Sequence, residues 1–409
     1  MSELSGPRRH AVAGLLVLLA GVACVRASPP TTTSPRWSTD LPTLRLEGDT
    51  GITDTIAPGA LHRAFLVRQG PWAVHVLDID RAACWSAVAV KGAPGAVGRT
   101  KTSALTASAA DQGTIVAGGV NADFFLFDPP GVPTGAHVSN GNVVTGPGAR
   151  PVFAVDQSGR PWIGTLSISG AAVSGGDSLR IDSWNRMASN GLAWFDARYG
   201  PVVDTLWRSI RVVLSDRRGT VQSIDSSRVT TPIPAAGGVL VLGPRAPEAL
   251  RERFVGAAIL RSQFTVSIRL LPFQPREAVG GFPILVRDSL EVPGLDSAGA
   301  PNFAPVRHPR TIVGVAARGR RLLLITVDGR QPGHSAGTTN RESAAIALAL
   351  GATEAINLDG GGSTAMAVAR YRGDSAIFEV VNRPSDPTGE RAVGNALVIV
   401  RNRRDPGRC

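Results

Sequence analysis

Short apolar runs, each bounded by Gly, Pro, Asp or Asn, most constrain what this chain can fold into. Runs of four to eight residues with these boundaries are typical of β-strands, whereas a helix needs a longer periodic stretch. The clearest runs are 63–67, 72–79, 114–120, 152–155, 192–195, 210–214 and 238–242. With 47 Gly and 30 Pro among 409 residues, the chain predicts a loop-rich, β-containing fold rather than a helical bundle.

Three segments are typical of helices. Two short ones are 99–110 and 246–254, and the third begins at Thr339 with the capping-box sequence Thr-Asn-Arg-Glu and ends at Gly351. Predicted strands at 321–327 and 355–358 flank this third helix. We therefore predict an α+β fold, a single large domain of mixed or antiparallel β-sheet with few helices at 58–402, followed by a tail at 403–409.

The N-terminus has the pattern of an export signal. Arg8, Arg9 and His10 precede an apolar run at 11–23, which predicts a signal segment at 1–27 and a Ser-, Thr- and Pro-containing tether at 28–57. Cys24 ends the run and weakly resembles a bacterial lipoprotein site, so membrane attachment by lipidation there competes with ordinary cleavage near Ala27. In either case we expect an exported protein, which is periplasmic, envelope-anchored or extracellular. After cleavage near Ala27, Cys84 and Cys409 would be the only cysteines, and the two could pair.

The formal charge of +11 does not predict a nucleic-acid partner. Only Lys91 and Lys101 are lysines, the arginines are scattered along the chain, and aromatic residues make up 5%. A nucleic-acid surface would need basic residues clustered with stacking aromatics. We therefore expect no nucleic-acid partner.

Four segments combine charged or polar residues with glycine at the ends of apolar runs. In the first, 355–364, Asp359 precedes Gly360, Gly361 and Gly362 and then two hydroxyl residues; the others are 118–125, 326–330 with 337–339, and 389–395. Consecutive glycines suit a place where another group approaches the main chain closely, although a bare Asp-Gly-Gly-Gly could equally be a tight turn. The four segments together supply the carboxylates of Asp123, Asp328, Asp359 and Glu390 and the guanidinium groups of Arg330 and Arg391. Such groups can recognise a phosphate and act at a sugar carbon.

Two other kinds of site are considered. The sequence Gly-His-Ser-Ala-Gly at 333–337 fits a nucleophile elbow, but no histidine follows Ser335, so a serine-hydrolase triad in the usual order cannot form. The cysteine spacing fits no zinc site. Asp328, Asn357 and Asp359 could hold a divalent cation through their oxygens or could hydrogen-bond a sugar, and no cofactor is certain.

Taken in order, these segments resemble the phosphodiester glycosidase family from near residue 62 to about residue 400. The most specific matches are 308–315, 323–330, 339–351 and 355–364, with a closing motif at 381–397 and an early Asn-x-x-Phe-Phe signature at 121–125. Asn185 and Arg186 also fall where such sequences place theirs. The resemblance implies an enzyme that hydrolyses the bond between a sugar anomeric carbon and a phosphodiester.

The resemblance leads us to predict a role for each site residue. Asp359 is predicted as nucleophile or ion-pair stabiliser, Glu390 or Asp328 as acid/base, and Arg391 and Arg310 as phosphate ligands. The remaining predicted binding residues are Asn121, Arg330, Thr338, Asn357, Gly360, Gly361, Gly362 and Ser363. The expected partner is a carbohydrate phosphodiester of an envelope or extracellular glycan, and the alternative is a non-catalytic envelope protein that binds polysaccharide or phosphoglycan.

Overall fold

The computed structural model describes residues 51–67, 70–110, 114–203, 208–227, 230–254, 259–299, 303–373 and 375–402. The predicted signal segment, Cys24 and the tail at 403–409 lie outside the described residues. The described residues all fall within one compact unit. Cys84 is disulfide-bonded, and the other two cysteines of the chain, Cys24 and Cys409, are not among the described residues.

Strands dominate the described part of the chain, as the short apolar runs predict. The first fifteen are β1 Ile52–Ala57, β2 Ala60–Val67, β3 Trp72–Asp80, β4 Ser86–Val90, β5 Thr100–Lys101, β6 Thr114–Asn121, β7 His137–Ser139, β8 Asn142–Thr145, β9 Val152–Val155, β10 Pro161–Gly164, β11 Ser167–Ser174, β12 Asp177–Arg180, β13 Ser183–Trp184, β14 Leu192–Phe195 and β15 Val202–Val203. The remaining strands are β16 Ile210–Leu214, β17 Val221–Asp225, β18 Thr231–Pro232, β19 Gly238–Leu242, β20 Thr265–Leu271, β21 Glu277–Gly280, β22 Ile284–Arg287, β23 Leu290–Glu291, β24 Arg310–Ala316, β25 Arg321–Val327, β26 Ala352–Asn357, β27 Met366–Arg372, β28 Ser375–Val380, β29 Ala392–Val393 and β30 Ala396–Asn402. Strand β1 lies inside the predicted tether and pairs with β2, so the sheet begins before residue 58.

The helices of the described residues are few and short: α1 Thr102–Ser108, α2 Glu248–Glu252 and α3 Asn340–Ala349. Each lies within a segment predicted as helical, and α3 has the predicted capping box. Its Thr339 hydroxyl accepts the Glu342 N–H, and the Glu342 carboxylate accepts the Thr339 N–H. No helix among the described residues is long and apolar enough to cross a membrane.

The largest sheet has eight strands in the order β1-β2-β3-β25-β24-β26-β22-β23, and all of its pairings are antiparallel. Strand β25 shows why it is central: Leu322 and Leu324 pack into the core on one face, and Leu323 and Ile325 into the core on the other. Helix α3 covers the second face through Ala344, Ile346 and Ala347. A strand buried on both faces has a continuous apolar sequence, which is what 321–327 has.

A five-stranded sheet, β28-β27-β6-β30-β4, supplies the first of these two cores with Val120, Met366, Val368, Leu397 and Ile399. A second five-stranded sheet, β10-β9-β21-β7-β8, contributes Phe153, Val155 and Val279 to the same core. The packing of these sheets against one another positions the candidate site, because the segments that carry its residues follow the ends of strands such as β6 and β26.

Residues 165–276 form an insertion between β10 and β21, which belong to one sheet. The insertion contains a three-stranded sheet, β12-β11-β20, and a five-stranded sheet, β13-β14-β19-β16-β17, with a separate core between them. The β13–β14 pair is parallel, whereas every other strand pairing described is antiparallel. Several sheets therefore make up the single compact unit.

Candidate functional site

The glycine-rich segment follows β26 and is held tightly against the rest of the chain. A Cβ atom on Gly360 would lie 2.6 Å from the Pro309 carbonyl oxygen, and one on Gly362 would clash with the Arg391 guanidinium. The close approach predicted from three consecutive glycines is therefore made by the protein itself. The Gly361 N–H donates to Pro309 O at 2.9 Å and the Gly360 N–H to the Asp359 carboxylate at 2.9 Å, so these two amides are already engaged.

Asn121, at the end of β6, ties this segment to the neighbouring sheet. Its Nδ2 donates to the Asp359 carbonyl at 2.7 Å, and its Oδ1 accepts the Thr311 hydroxyl at 2.7 Å and the Ala365 N–H at 3.1 Å. All three bonds are to groups of the protein, and the Asn121 side chain is fully buried. Asn121 therefore positions the glycine-rich segment.

Asp123 lies beside Asp359, although the two are 236 residues apart in the chain. The Asp359 N–H donates to the carbonyl of Ala122 at 2.8 Å, which places the two aspartates next to each other across the sheets. The Asp123 carboxylate accepts the Gly135 N–H at 2.6 Å through Oδ2, and the Asp123 N–H donates to Asn395 Oδ1 at 2.8 Å. The two aspartates therefore form the carboxylate pair of the site.

Burial raises the pKa of both carboxyl groups. The pKa of Asp123 rises to about 7, opposed by the Gly135 hydrogen bond and the charges of Arg186 and Arg150, while the negative charge of Asp359 adds to the increase. The pKa of Asp359 rises to about 6, opposed by hydrogen bonds from Ser363 and Gly360 and by the charges of Arg391 and Arg150. Both carboxyl groups therefore titrate closer to neutral pH than a solvent-exposed aspartate does, as acid/base catalysis near neutral pH requires.

Three arginines surround this pair. Arg150 acts on both carboxylates; its Nη1 donates to the Thr134 hydroxyl at 3.1 Å and its guanidinium lies 4.5 Å from the Phe124 ring centre. Arg186 donates to the carbonyls of Gly135 and Pro133 at 3.0 and 3.3 Å. Arg391 is held by Asp386 at 2.7 Å. Three cations beside two carboxyl groups suit an anionic ligand such as a phosphate.

Three buried oxygens in the segments 118–125 and 355–364 have no hydrogen-bond partner among the described residues: Asp123 Oδ1, Asn357 Oδ1 and Thr364 Oγ1. Buried polar atoms in folded proteins are almost always hydrogen-bonded, so orphaned ones indicate a place where a ligand or water binds. Asn357 is otherwise fixed, since its Nδ2 donates to the carbonyls of Phe282 and Leu358, both at 2.7 Å.

The structure gives Glu390 a different environment from the one expected of an acid/base residue. Its two carboxylate oxygens accept the N–H of Ser103 at 2.7 Å and the hydroxyl of Ser103 at 2.6 Å, in the first turn of α1. A carboxylate there satisfies free helix N–H groups and complements the helix dipole. Glu390 precedes Arg391 in the sequence, but its side chain points to the N-terminus of α1 and caps that helix.

Asp328 is also fully occupied. Its carboxylate accepts the N–H of Arg383 and the side-chain amide of Asn382 at 2.9 Å, and His334 Nε2 lies 2.9 Å from its Oδ2. The hydroxyl of Ser335 is buried, donates to the Asp328 carbonyl at 2.6 Å and accepts the Ala73 N–H at 3.1 Å. This arrangement is a structural network, and it leaves Ser335 unable to act as an exposed nucleophile.

The other predicted binding residues divide into buried and accessible ones. Arg310 is buried, and its guanidinium donates to the main-chain carbonyls of Thr338, Phe303 and Val306; burial lowers its pKa to about 10. The Thr338 hydroxyl pairs with Ser343 at 2.9 Å. Arg330, in contrast, is exposed, lies 3.0 Å from His308 Nδ1 and packs beside Gly361. Of these, only Arg330 is free to reach a ligand.

Among the described residues, no group of three or more His, Cys, Asp or Glu side chains is arranged to hold a metal ion. A cleft of about 980 Å³ lies elsewhere, lined by Trp85, Arg276 and Glu277 among others, and it does not include the aspartate pair. A smaller cavity of about 350 Å³ adjoins the site through Arg186.

Residues 212–400 match the phosphodiester glycosidase family, which confirms the resemblance read from the sequence. No curated protein sequence matches the chain.

Three solved structures are similar. A hypothetical protein from Synechocystis has a TM-score of 0.71 and 22% identity over 87% of this chain and 64% of that one, so this chain spans less than two thirds of its length. A protein from Burkholderia pseudomallei K96243, described as exported, has a TM-score of 0.62 and 28% identity over 81% of this chain and 74% of that one. The zebrafish N-acetylglucosamine-1-phosphodiester α-N-acetylglucosaminidase catalytic domain, auto-inhibited by its pro-peptide, has a TM-score of 0.42 and 13% identity over 86% of this chain and 82% of that one. The last likeness is too distant to establish fold or function by itself.

Proposed function

We propose that this chain, whose residues 212–400 match the phosphodiester glycosidase family, hydrolyses a glycosyl phosphodiester and releases a sugar and a phosphomonoester. The observation that carries the proposal is the pair of aspartates, Asp123 and Asp359, held together by main-chain hydrogen bonding and surrounded by arginines. A carboxylate pair beside cations matches the two charges of the reaction, a cation-like sugar carbon and an anionic phosphate.

Asp359 is the carboxylate that faces the anomeric carbon in this proposal. The Gly360 N–H and the Ser363 hydroxyl both lower its pKa relative to burial alone, which favours the ionised form of this carboxyl group. An ionised carboxylate can attack the anomeric carbon or stabilise its developing positive charge.

Asp123 is the proposed acid/base group, in place of the Glu390 and Asp328 expected from the sequence. With a pKa raised to about 7 by burial, it can give a proton to the departing phosphate oxygen and later take one from water. Arg150, Arg186, Arg391 and Arg330 would hold the phosphate. Because a phosphomonoester is already a good leaving group, holding its charge is the larger task.

The proposed place of action is outside the cytoplasm, in an envelope or extracellular glycan. The export signal predicted at 1–27 and the exported description of the Burkholderia protein support this proposal.

The test is release of free sugar from an N-acetylglucosamine-1-phosphodiester by the wild type, Asp359→Asn and Asp123→Asn. The matched control is Asp196→Asn, a similarly buried aspartate in the insertion that binds Asn185 and Trp184. We expect both site variants to lose about 10²–10⁴-fold in kcat/KM and the control to keep its activity.

Two outcomes would contradict the proposal. Full activity in Asp359→Asn would remove that residue from the chemistry. Binding of the diester without release of sugar across several sugars would favour the alternative, a non-catalytic protein that binds phosphoglycan. Thermal melting of each variant separates lost chemistry from lost folding.

A further inference from the structure

A largely apolar pocket of about 350 Å³ lies next to the aspartate pair and is not used by the chemistry above. Its lining includes Leu126, Val132, Pro133, Met187, Phe195 and Tyr199. Asp128 and Arg186 are its charged lining residues, and Arg186 also belongs to the site. The volume falls at the small end of the range for ligand pockets, about 300–1,000 Å³.

The same loop builds both the pocket and the site. Immediately after Asp123 the chain turns through 124–134, held by hydrogen bonds from the Leu126 N–H to Val132 O at 2.9 Å and from the Thr134 N–H to Phe124 O at 2.8 Å. Leu126, Val132 and Pro133 of this loop face the pocket. A ligand group that leaves Asp123 along this loop therefore enters an apolar environment.

Arg186 lies where the pocket and the site meet. Its Nε and Nη2 donate to the carbonyls of Gly146, Pro133 and Gly135, which fixes the guanidinium, and its charge acts on Asp123. A phosphate bound by Arg186 would carry its sugar ester towards the aspartates. Its second ester group would then be directed towards the apolar walls.

The rim of the pocket is also unusually apolar for a surface loop. Leu126 is 42% exposed and its neighbour Phe127 is 70% exposed, with the Arg99 guanidinium 5.9 Å from the Phe127 ring centre. Leu126 lines the pocket and Phe127 follows it in the chain, so two adjacent apolar side chains are exposed beside the pocket, which indicates a binding surface.

We propose that this pocket binds the alcohol side of the phosphodiester and that this alcohol is aliphatic, so that the preferred substrate is a sugar-1-phosphate esterified to a lipid-like chain. The inference rests on the proposed function, because it takes the phosphate to lie between Arg186 and the aspartates. A 150 Å³ apolar cavity holds one benzene molecule, so 350 Å³ has room for a chain of about ten carbons. The sugar and the aliphatic chain would be bound on opposite sides of the phosphate.

The test measures binding separately from catalysis. Methyl, butyl, hexyl and octyl phosphate, which mimic the leaving group, are titrated calorimetrically into the full chain below their micelle concentrations. Full burial of one methylene is worth about fourfold in affinity. Allowing for partial burial, we expect octyl phosphate to bind at least about 100-fold more tightly than methyl phosphate.

Variants of the pocket wall test whether the chain-length dependence of binding arises in this pocket. Leu126→Gln and Met187→Gln introduce a polar group into the pocket wall and should weaken octyl phosphate binding by about tenfold while leaving methyl phosphate binding unchanged. Leu260→Gln, at a 51% exposed leucine outside the pocket, is the matched control and should change neither. Equal affinity along the series, or an unchanged chain-length dependence in both pocket variants, would overturn the proposal.

Hydrolysis of the corresponding sugar-1-phosphate diesters separates the two proposals. Hydrolysis at a rate independent of chain length, with flat binding, would refute the apolar pocket and keep the proposed function. Chain-length-dependent binding without hydrolysis of any diester would refute the proposed function and keep the pocket as a binding site.

Discussion

Replacing Asp123 with asparagine should remove a loss of stability that the wild type suffers as pH rises towards neutral, while it removes activity. The wild-type carboxyl group is 1% exposed, and burial raises its pKa from 3.8 to about 7. The folded protein therefore keeps a proton that the unfolded chain releases above pH 4. Because the folded state binds more protons than the unfolded state, the free energy of unfolding falls as pH rises from about 4 to about 7.

The size of the fall in the free energy of unfolding follows from the shift in the pKa of Asp123. A change of about three pKa units corresponds to about 4 kcal/mol between fully protonated and fully ionised forms. Between pH 4.5 and 7.5 linkage gives about 3 kcal/mol of that. Because an asparagine does not titrate, the free energy of unfolding of the variant does not fall by this amount between the two pH values. Its amide adds a cost for an unpaired donor near the orphaned Oδ1 position, but that cost is the same at both pH values and cancels in the comparison.

The assay is urea unfolding of the wild type and Asp123→Asn at pH 4.5 and 7.5, without reductant so that the Cys84 disulfide stays intact. We expect the stability difference, variant minus wild type, to rise by about 3 kcal/mol from the lower to the higher pH. Asp128→Asn, an exposed aspartate on the same loop, is the control and should show a change below about 0.5 kcal/mol. A difference that does not change with pH in Asp123→Asn would refute the raised pKa and with it the acid/base role.

Three further results are expected. The pH profile of kcat/KM should be bell-shaped, rising as Asp359 ionises near pH 6 and falling as Asp123 loses its proton near pH 7; a profile flat from pH 5 to 8 would contradict this assignment. Glu390→Ala should cost about 1–2 kcal/mol of stability, measured by urea unfolding, because Ser103 loses its cap, while kcat/KM falls far less than the 10²–10⁴-fold expected of an acid/base residue. Asn121→Ala should cost about 2–4 kcal/mol in the same measurement, because three buried groups lose their partner; a change below 0.5 kcal/mol would show that solvent replaces those bonds.

Local signals in the sequence were sufficient for most elements. Strands β9, β14, β16, β19 and β25 have the predicted bounds, because each is a short apolar run with turn residues on both sides. Helix α3 starts where its capping box predicts, since that motif depends only on residues three apart. The helix at 99–110 was predicted too long because Thr100 and Lys101 pair with β29, a contact nearly 300 residues away that no local pattern reveals.

The site residues stay predictions, and only some of them have a signal in the sequence. Asp359 was singled out because three glycines follow it, whereas Arg150 was not considered because one arginine among many carries no local signal. Asp123 was noted as a carboxylate without a role. Glu390 was given a role from its residue type and the family resemblance, neither of which reveals that its side chain bonds to Ser103 in α1.

The relative position of the two aspartates depends on the packing of the sheets rather than on either loop. Ala122 and Leu358, the residues before Asp123 and Asp359, are fully buried in the same core between the eight-stranded and five-stranded sheets. The hydrogen bond from the Asp359 N–H to Ala122 O joins the two segments that carry these aspartates. Because close-packed cores transmit small displacements, a change in the spacing of the sheets would move one carboxyl group relative to the other. A catalytic pair loses rate steeply with such displacement, so the core between the sheets is under functional as well as structural constraint.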